Sequence, residues 1–493
     1  MARKAVAADD NVRRVYDQVL VDITKYVYHY DVQSPRAWTC AKFALLDALG
    51  CALETLTESE EARALIGPVI PGTTVPNGFR LPGTPYQLDI LKGSFDLGSL
   101  IGYLDHNDAY PGAEWGHPSD NIGAILAVAD WLSRTARASG QVSLTMEKVL
   151  LGLIKAYEIQ GCFQIRNAFD QVGLDHTLLV KIASTAVVSW LLDLTENQAM
   201  DALSQAWMDS APLRVFRQHP NTGPRKGWAA GDACMRAVHL AWLTKKGQPG
   251  ASTVLTTPRW GFYATLFNGR EFQLPRPFGS WVIESVFFKI HAVEGHGASA
   301  VEAAVEVGEE LRESGLSVER DIAHIHVRTQ QAAMTIINKQ GPLHNAADRD
   351  HCMQYMIAVV LMKGSMIESA DYQDKSPWAK DPYVEALRKK IDLVEDPQFT
   401  ADYHDKKKRS ASNGLTVTLN NGTKMDEVLC EYPVGHPWRK ETTSSVKGKL
   451  KKNIEGWYGK GGKAQNILKL EPLREEDFRK MQVCDFVDRF AGD

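Results

Sequence analysis

Three stretches of this chain gather side chains able to move protons or hold anions. The densest reads Asp105-His106-Asn107-Asp108, continues through Tyr110-Pro111-Gly112, and ends Glu114-Trp115-Gly116-His117-Pro118-Ser119-Asp120-Asn121. It joins two apolar segments, and loops held by a rigid scaffold are where reactive groups concentrate. Asp105 and His117 can both serve as proton-transfer groups near neutral pH when their surroundings tune them. Ser119 or Asp120, after Pro118, is expected to N-cap a helix beginning at Ile122. Capping leaves Asp105 and His117 without a structural role.

The second stretch, Arg214-Val215-Phe216-Arg217-Gln218-His219-Pro220-Asn221-Thr222-Gly223-Pro224-Arg225-Lys226, precedes a helix starting near Trp228. Cations at a helix N-terminus oppose its dipole by ~0.3–1 kcal/mol each. Either Arg225 and Lys226 both turn to water, or an anion sits between them and the free N–H groups and removes the conflict. The third stretch is Lys289-Ile290-His291-Ala292-Val293-Glu294-Gly295-His296, after the apolar run Val286-Phe287-Phe288. That run predicts a partly desolvated Lys289 amine; the alternative is a lysine reaching outward and a His296 that merely opens the next helix. His176, alone before an apolar segment, reads from its surroundings as a structural histidine.

No metal or other cofactor is expected. His324 and His326 share one face of a predicted strand but have no evident third ligand, as zinc would require. The seven cysteines are odd in number, scattered and free of C-x-x-C pairs, which suits free thiols in a reducing compartment and offers no iron–sulfur grouping. A formal net charge of -4 leaves no basic surplus for a nucleic-acid backbone. The longest apolar run, Met356 to Met362, falls far short of the ~20 residues that span a bilayer. Arg3, Lys4, Arg13 and Arg14 are of the kind a mitochondrial leader uses, but Asp9 and Asp10 argue against any leader. The expectation is a soluble intracellular protein, cytoplasmic or in the mitochondrial matrix, with no membrane or nucleic-acid partner.

At 493 residues the chain is long enough for more than one compact unit. From about Arg13 to Gly247 apolar residues recur at helical spacing, as in Ala41, Leu45, Leu49 and Leu53, or Ile122, Ile125, Leu126 and Ala129. Further stripes over Val149–Phe163, Leu178–Leu192, Ala199–Trp207 and Ala229–Leu243 are rich in small residues and apolar nearly all round, so these helices should bury one another. The pattern changes near Pro275-Arg276-Pro277. Ile325-His326-Val327-Arg328 and Leu415-Thr416-Val417-Thr418-Leu419 alternate as strands, and Asn421-Gly422 predicts a hairpin into Glu427–Tyr432. Helices are expected over Ala298–Arg312 and His351–Met362, and a surface loop over Ala401–Arg409. The fold class is therefore mainly α: a large helical domain over residues 1–275, completed by 443–493, and a smaller α+β domain over 276–442.

Taken together the clusters resemble the MmgE/PrpD family. The likeness is carried by Leu104-Asp105-His106-Asn107-Asp108, Glu114–Asn121, Gly173-Leu174-Asp175-His176, His219-Pro220-Asn221-Thr222-Gly223 with Arg225-Lys226, and Gly341-Pro342-Leu343. It extends to Ala347-Asp348-Arg349-Asp350-His351-Cys352, Phe399–Asp405 and Glu431-Tyr432-Pro433-Val434-Gly435-His436, and so runs from about residue 18 nearly to the end. The resemblance implies a helical domain with an α+β lid, an active site between them and a homodimer. It implies catalytic residues at Asp105, His117, His176, Lys226 and Lys289, with Asn107, Arg217, His219, Arg225 and His296 as substrate-binding candidates. The implied reaction removes water from a tricarboxylate, 2-methylcitrate or a longer alkylcitrate, to give the alkyl-cis-aconitate by metal-independent elimination. Decarboxylation of cis-aconitate is the nearest alternative, and a non-catalytic helical binding protein the alternative of another class.

Two departures from the usual dehydratase pattern stand beside these positions. Ala109 occupies the place of a threonine after Asn-Asp. His291-Ala292-Val293-Glu294-Gly295-His296 replaces a longer, bulkier Ser-Phe-Pro-Ala-Glu-Phe-His. Smaller side chains there are expected to enlarge the pocket for a longer alkyl tail, as in fungal biosynthesis of alkyl maleic anhydrides.

Overall fold

A computed structural model describes residues 12–209, 211–405 and 407–492. Arg3, Lys4, Asp9 and Asp10 lie outside them. The helical stripes appear as α1 (Gln18–His29), α2 (Pro35–Glu58), α3 (Ile90–Gly102), α4 (Ile122–Ala138), α5 (Met146–Gln164), α6 (Thr177–Leu191), α7 (Glu196–Met208) and α8 (Arg225–Lys245). Further along come α9 (Ala298–Glu313), α10 (Met353–Lys363), α11 (Thr442–Tyr458) and α12 (Val483–Phe490), with shorter helices between. Two short strands, β1 (Phe79–Arg80) and β2 (Gln87–Leu88), form one antiparallel pair. The remaining strands, β3 (Ile322–Thr329), β4 (Ile391–Glu395), β5 (Asn413–Leu419) and β6 (Val428–Cys430), make a four-stranded sheet in the order β4-β3-β5-β6. The molecule is mainly α with a small α+β portion. None of the described helices is long and apolar enough to cross a membrane.

Two apolar cores account for this arrangement. One is built by α1 to α8 and is joined by Leu450 and Ile454 of α11 and by Phe486 and Phe490 of α12, so the C-terminal helices return to it. The other lies between the sheet and α9 and α10, from Phe287 to Leu419, and also takes in Ala109. The predicted hairpin forms, with Gly422 at φ 87° in its turn and β5 antiparallel to β6. The strand β4, parallel to β3, was not anticipated; its five residues follow the charged Arg388-Lys389-Lys390 and carry too little alternation to stand out.

Some local expectations fail. Neither Ser119 nor Asp120 caps α4, whose first turn is preceded by a 3-10 turn, Pro118–Asn121, with no side-chain cap. Ala401–Arg409 is not wholly a surface loop: a helix over Pro397–His404 carries Tyr403 onto the buried His296. His324 and His326 both pair with Asp392, their side chains partly exposed.

The geometry that matters most is the crossing of α3 and α8. A Cβ on Gly98 would lie 2.9 Å from Gly231 Cα, and one on Gly231 2.3 Å from the Phe95 carbonyl oxygen. Only glycine permits so close an approach of two backbones. The crossing sets the C-terminal end of α3, which leads into Asp105, against the N-terminal end of α8, which carries Lys226.

Candidate active site

Asp105 follows α3 in the left-handed region, φ 52°, which aspartate tolerates better than most residues. The turn sends its carboxylate inward. Lys289 Nζ donates to Asp105 Oδ1 at 2.6 Å and to its backbone carbonyl at 2.9 Å, and Lys226 Nζ reaches Oδ2 at 3.4 Å. Burial by itself would raise this carboxyl; Lys289 and then Lys226 outweigh it and hold Asp105 well below the usual carboxylate range. The Lys289 side chain is only 2% exposed, so the apolar run before it does remove its amine from water.

His117 lies on the far limb of the same loop, which closes on itself through Tyr110 N–H to the Gly116 carbonyl at 2.8 Å. Mutual bonds between Ala109 and Phe287 then tie this limb to the Lys289 segment. His117 Nδ1 sits 2.8 Å from the Asp108 carbonyl oxygen. A carbonyl only accepts, so Nδ1 carries the hydrogen and Nε2 keeps its lone pair, 3.4 Å from Asp105 Oδ1. Burial, then the nearby Lys289 charge, pull this imidazole down to about 4. It is a neutral base at physiological pH.

His176, at the start of α6, stacks obliquely on His117 with ring centroids 5.5 Å apart. Burial holds it well below its ordinary value, and its Nε2 is buried without a hydrogen-bond partner. Beside it Asp175 accepts from Arg217 Nε at 2.5 Å. Burial would raise Asp175, yet Arg217 keeps it well below the carboxylate range. Asp105, Asn107, His117, Asp120, His176, Arg217 and Lys226 line one narrow cavity.

The structure therefore brings together Asp105, His117, His176, Lys226 and Lys289, with Asn107 and Arg217. Three other candidates are placed elsewhere. Arg225 turns outward to Asp232 and stacks over Trp228, because the first turn of α8 points successive side chains in different directions. His219 is exposed. His296 is fully buried between Glu294, the Tyr403 hydroxyl and the Trp115 ring. Ala109 is buried against Phe287, and Ala292 and Val293 pack into the second apolar core. None of these three lines the cavity beside Asp105.

Residues without an assigned role also enter the site. Asp350 accepts from Lys226 Nζ at 2.7 Å and from His351 Nδ1 at 2.6 Å, and so joins the α+β portion of the chain to the site. Within Asp348-Arg349-Asp350-His351 no local spacing marks Asp350, because its partner Lys226 lies 124 positions away. Lys449 of α11 donates to the carbonyls of His106 at 2.7 Å and Lys289 at 2.8 Å, and its charge meets Asp47 at 3.0 Å. It clamps together the two segments that carry Asp105 and Lys289. The run Lys447-Gly448-Lys449-Leu450-Lys451-Lys452 reads as a solvated face, yet Val446, Lys449, Leu450, Asn453 and Ile454 share helical spacing, the signal that singles out Lys449. Replacing Lys449 by Met strands the buried Asp47 charge and should lower unfolding free energy by about 3–5 kcal/mol. Denaturant titration measures this, and adding Asp47→Asn should restore part of the loss.

The fold and site define a mainly α protein with a small α+β portion, in which two lysines and two buried imidazoles gather around one carboxylate, Asp105. Residues 21–275 match the MmgE/PrpD N-terminal domain and residues 291–471 the MmgE/PrpD C-terminal domain. The chain belongs to the MmgE/PrpD family. It is 59% identical over 487 residues to a 2-methylcitrate dehydratase-like protein of Aspergillus oryzae, covering 98% of this chain and 97% of that one. An alkylcitrate dehydratase of Fungal sp. is 51% identical, covering 97% of this chain and 94% of that one. The 2-methylcitrate dehydratase of Escherichia coli is 50% identical, covering 98% and 99% respectively.

Proposed function

We propose that this protein removes water from an alkyl-bearing citrate, 2-methylcitrate or a longer-chain homologue, to give the alkyl-cis-aconitate. The observation that carries this reading is the single buried cluster in which Lys226 and Lys289 flank Asp105 beside the neutral imidazole of His117. The relatives bearing dehydratase names support the same reaction class. The carbon hydrogen next to a carboxylate is weakly acidic, because its removal adds charge to a group already anionic. Fixed cations aimed at that carboxylate stabilise the developing dianion. His117 Nε2 takes the proton, and Asp105 stabilises the imidazolium that forms. A substrate carboxylate takes the place of Asp350 at Lys226, coupling binding to the position of the lid.

The alkyl group is given room where the space beside Lys226 continues between the domains, along Tyr103, Leu104, Ala346, Ala347 and Tyr372. We also propose that the active form is a homodimer, as the family architecture implies. A panel of citrate, 2-methylcitrate, butylcitrate and hexylcitrate, followed through the ultraviolet absorbance of the conjugated product, tests the reaction. Turnover of at least one alkylcitrate, unchanged by a chelator, is expected. Release of carbon dioxide from cis-aconitate with no dehydration of any citrate would replace this reading with a decarboxylase.

A further inference from the structure

Hydroxide is a poor leaving group, and a dehydration needs a proton delivered to the departing oxygen as well as a base for the carbon. We propose that Asp120 is that general acid. The assignment rests on the dehydration reading above and adds to it a residue whose expected role from the sequence was a helix cap.

Asp120 shares the cavity wall with Asp105, His117, His176 and Lys226. Its side chain has a different environment from those of Asp105, Asp175 and Asp350. Asp105 and Asp350 meet lysines, and Asp175 meets Arg217. Asp120 Oδ1 accepts a hydrogen bond from Asn107 Nδ2 at 2.9 Å, and among the described residues no cation lies within ion-pair distance of it. Asn107 is itself fixed by Ser119 Oγ at 2.9 Å, so it holds the carboxyl in one orientation. Removing an unpaired carboxylate from water is severe enough that the group keeps its proton instead. Burial raises Asp120 to about 8, against the weaker opposing influence of Asn107 and Arg217. At neutral pH the cavity thus contains one carboxylic acid with a hydrogen to give.

The competing donors are weaker. Burial keeps His176 neutral, and Arg217 and His117 beside it oppose protonation, with only Asp175 favouring it. A neutral imidazole gives up its N–H far less readily than a carboxylic acid does. Lys226 and Lys289 hold carboxylates, and losing a proton would remove the charge on which the carbanionic transition state depends.

The step balances within these groups. His117 Nε2 accepts the proton from carbon, and the C–H electron pair becomes the new C=C bond. The C–O pair leaves on oxygen, which takes the Asp120 proton and departs as water. His117 is left as imidazolium beside Asp105, and Asp120 as carboxylate under the influence of Arg217. After product leaves, solvent returns the proton from His117 to Asp120.

The test compares two substrates, an alkylcitrate and its analogue with chlorine in place of the hydroxyl, since chloride departs without protonation. Asp120→Asn keeps the shape and the Asn107 contact but has no acidic proton. It should lower kcat for water loss by about 10²–10⁴, with chloride loss within about threefold of the unaltered enzyme. His117→Ala should lose both. A second readout needs no variant: kcat/KM for the hydroxyl substrate should fall above about pH 8, where Asp120 ionises, while that for the chloro analogue stays flat. Water loss by Asp120→Asn near the unaltered rate, or equal loss of both eliminations, overturns the assignment while leaving the dehydration reading intact. No product from any alkylcitrate or chloro analogue with the unaltered enzyme overturns the dehydration reading itself.

Discussion

Lys289→Met should lower kcat/KM for alkylcitrate dehydration by about 10²–10³, the 2.7–4 kcal/mol that one preorganised charge-stabilising donor supplies. The amine is nearly inaccessible to water and lies 2.6 Å from Asp105. In that setting its interaction with a developing carboxylate dianion is far less screened than at a surface. Methionine approximates the stem without the charge, so packing loss is small. The same change has a second signature. Lys289 is, after burial, the largest influence holding His117 down at about 4. Its removal should move the acid limb of the kcat/KM profile to higher pH. A rate loss with an unmoved acid limb would mean that Lys289 acts on the substrate alone and not on the base.

Substituting His117 by Ala should reduce turnover by at least about 10²–10⁴, the range associated with a positioned proton-transfer group. Its Nε2 carries the lone pair beside Asp105, whereas His176, the other imidazole lining the cavity among the described residues, lies beside Asp175 instead. Circular dichroism and the melting midpoint should show that the variant folds. In the unaltered enzyme kcat/KM should hold from neutral pH down to about 4 and fall below it, as His117 protonates. The same shift links to stability. The folded state disfavours the proton on His117 that the unfolded chain accepts near its ordinary value. This contribution is complete above about 6.5 and is lost as pH falls towards about 4. His117→Ala should flatten that part of the stability profile. Full activity in the variant would remove His117 from the mechanism.

Both experiments concern residues that were visible as types in the chain, but their visibility differed. Lys289 follows three apolar residues and was expected to be desolvated, which it is. His117 stood in a loop too rich in acids and imidazoles for turn formation alone. His176 was the opposite case: one histidine before an apolar helix reads as structural, and only its stacking on His117 and its unpartnered Nε2 separate it from that reading. Arg225 and Lys226 are adjacent and chemically alike, yet one faces water and the other the cavity. Which residue of a helix's first turn faces inward depends on the rotation of α8 about its axis, and that is set by packing against α3.

Periodicity along the chain was sufficient for the helical body, for β3 and for the β5–β6 hairpin, though not for β4, because burial of one face imposes a repeat of 3.6 or 2 on the sequence itself. It also marked the polar loop as unlike the helices around it. The charge state of each site residue belonged to the tertiary structure alone. Asp105, Asp120 and Asp350 are the same residue type, yet lysines hold two of them ionised while the third keeps its proton. That difference arises from partners far off in the chain: Lys289 meets Asp105 from 184 positions away, and Lys226 meets Asp350 from 124. Electrostatic energy falls with distance through space and not along the backbone, so no local pattern encodes it.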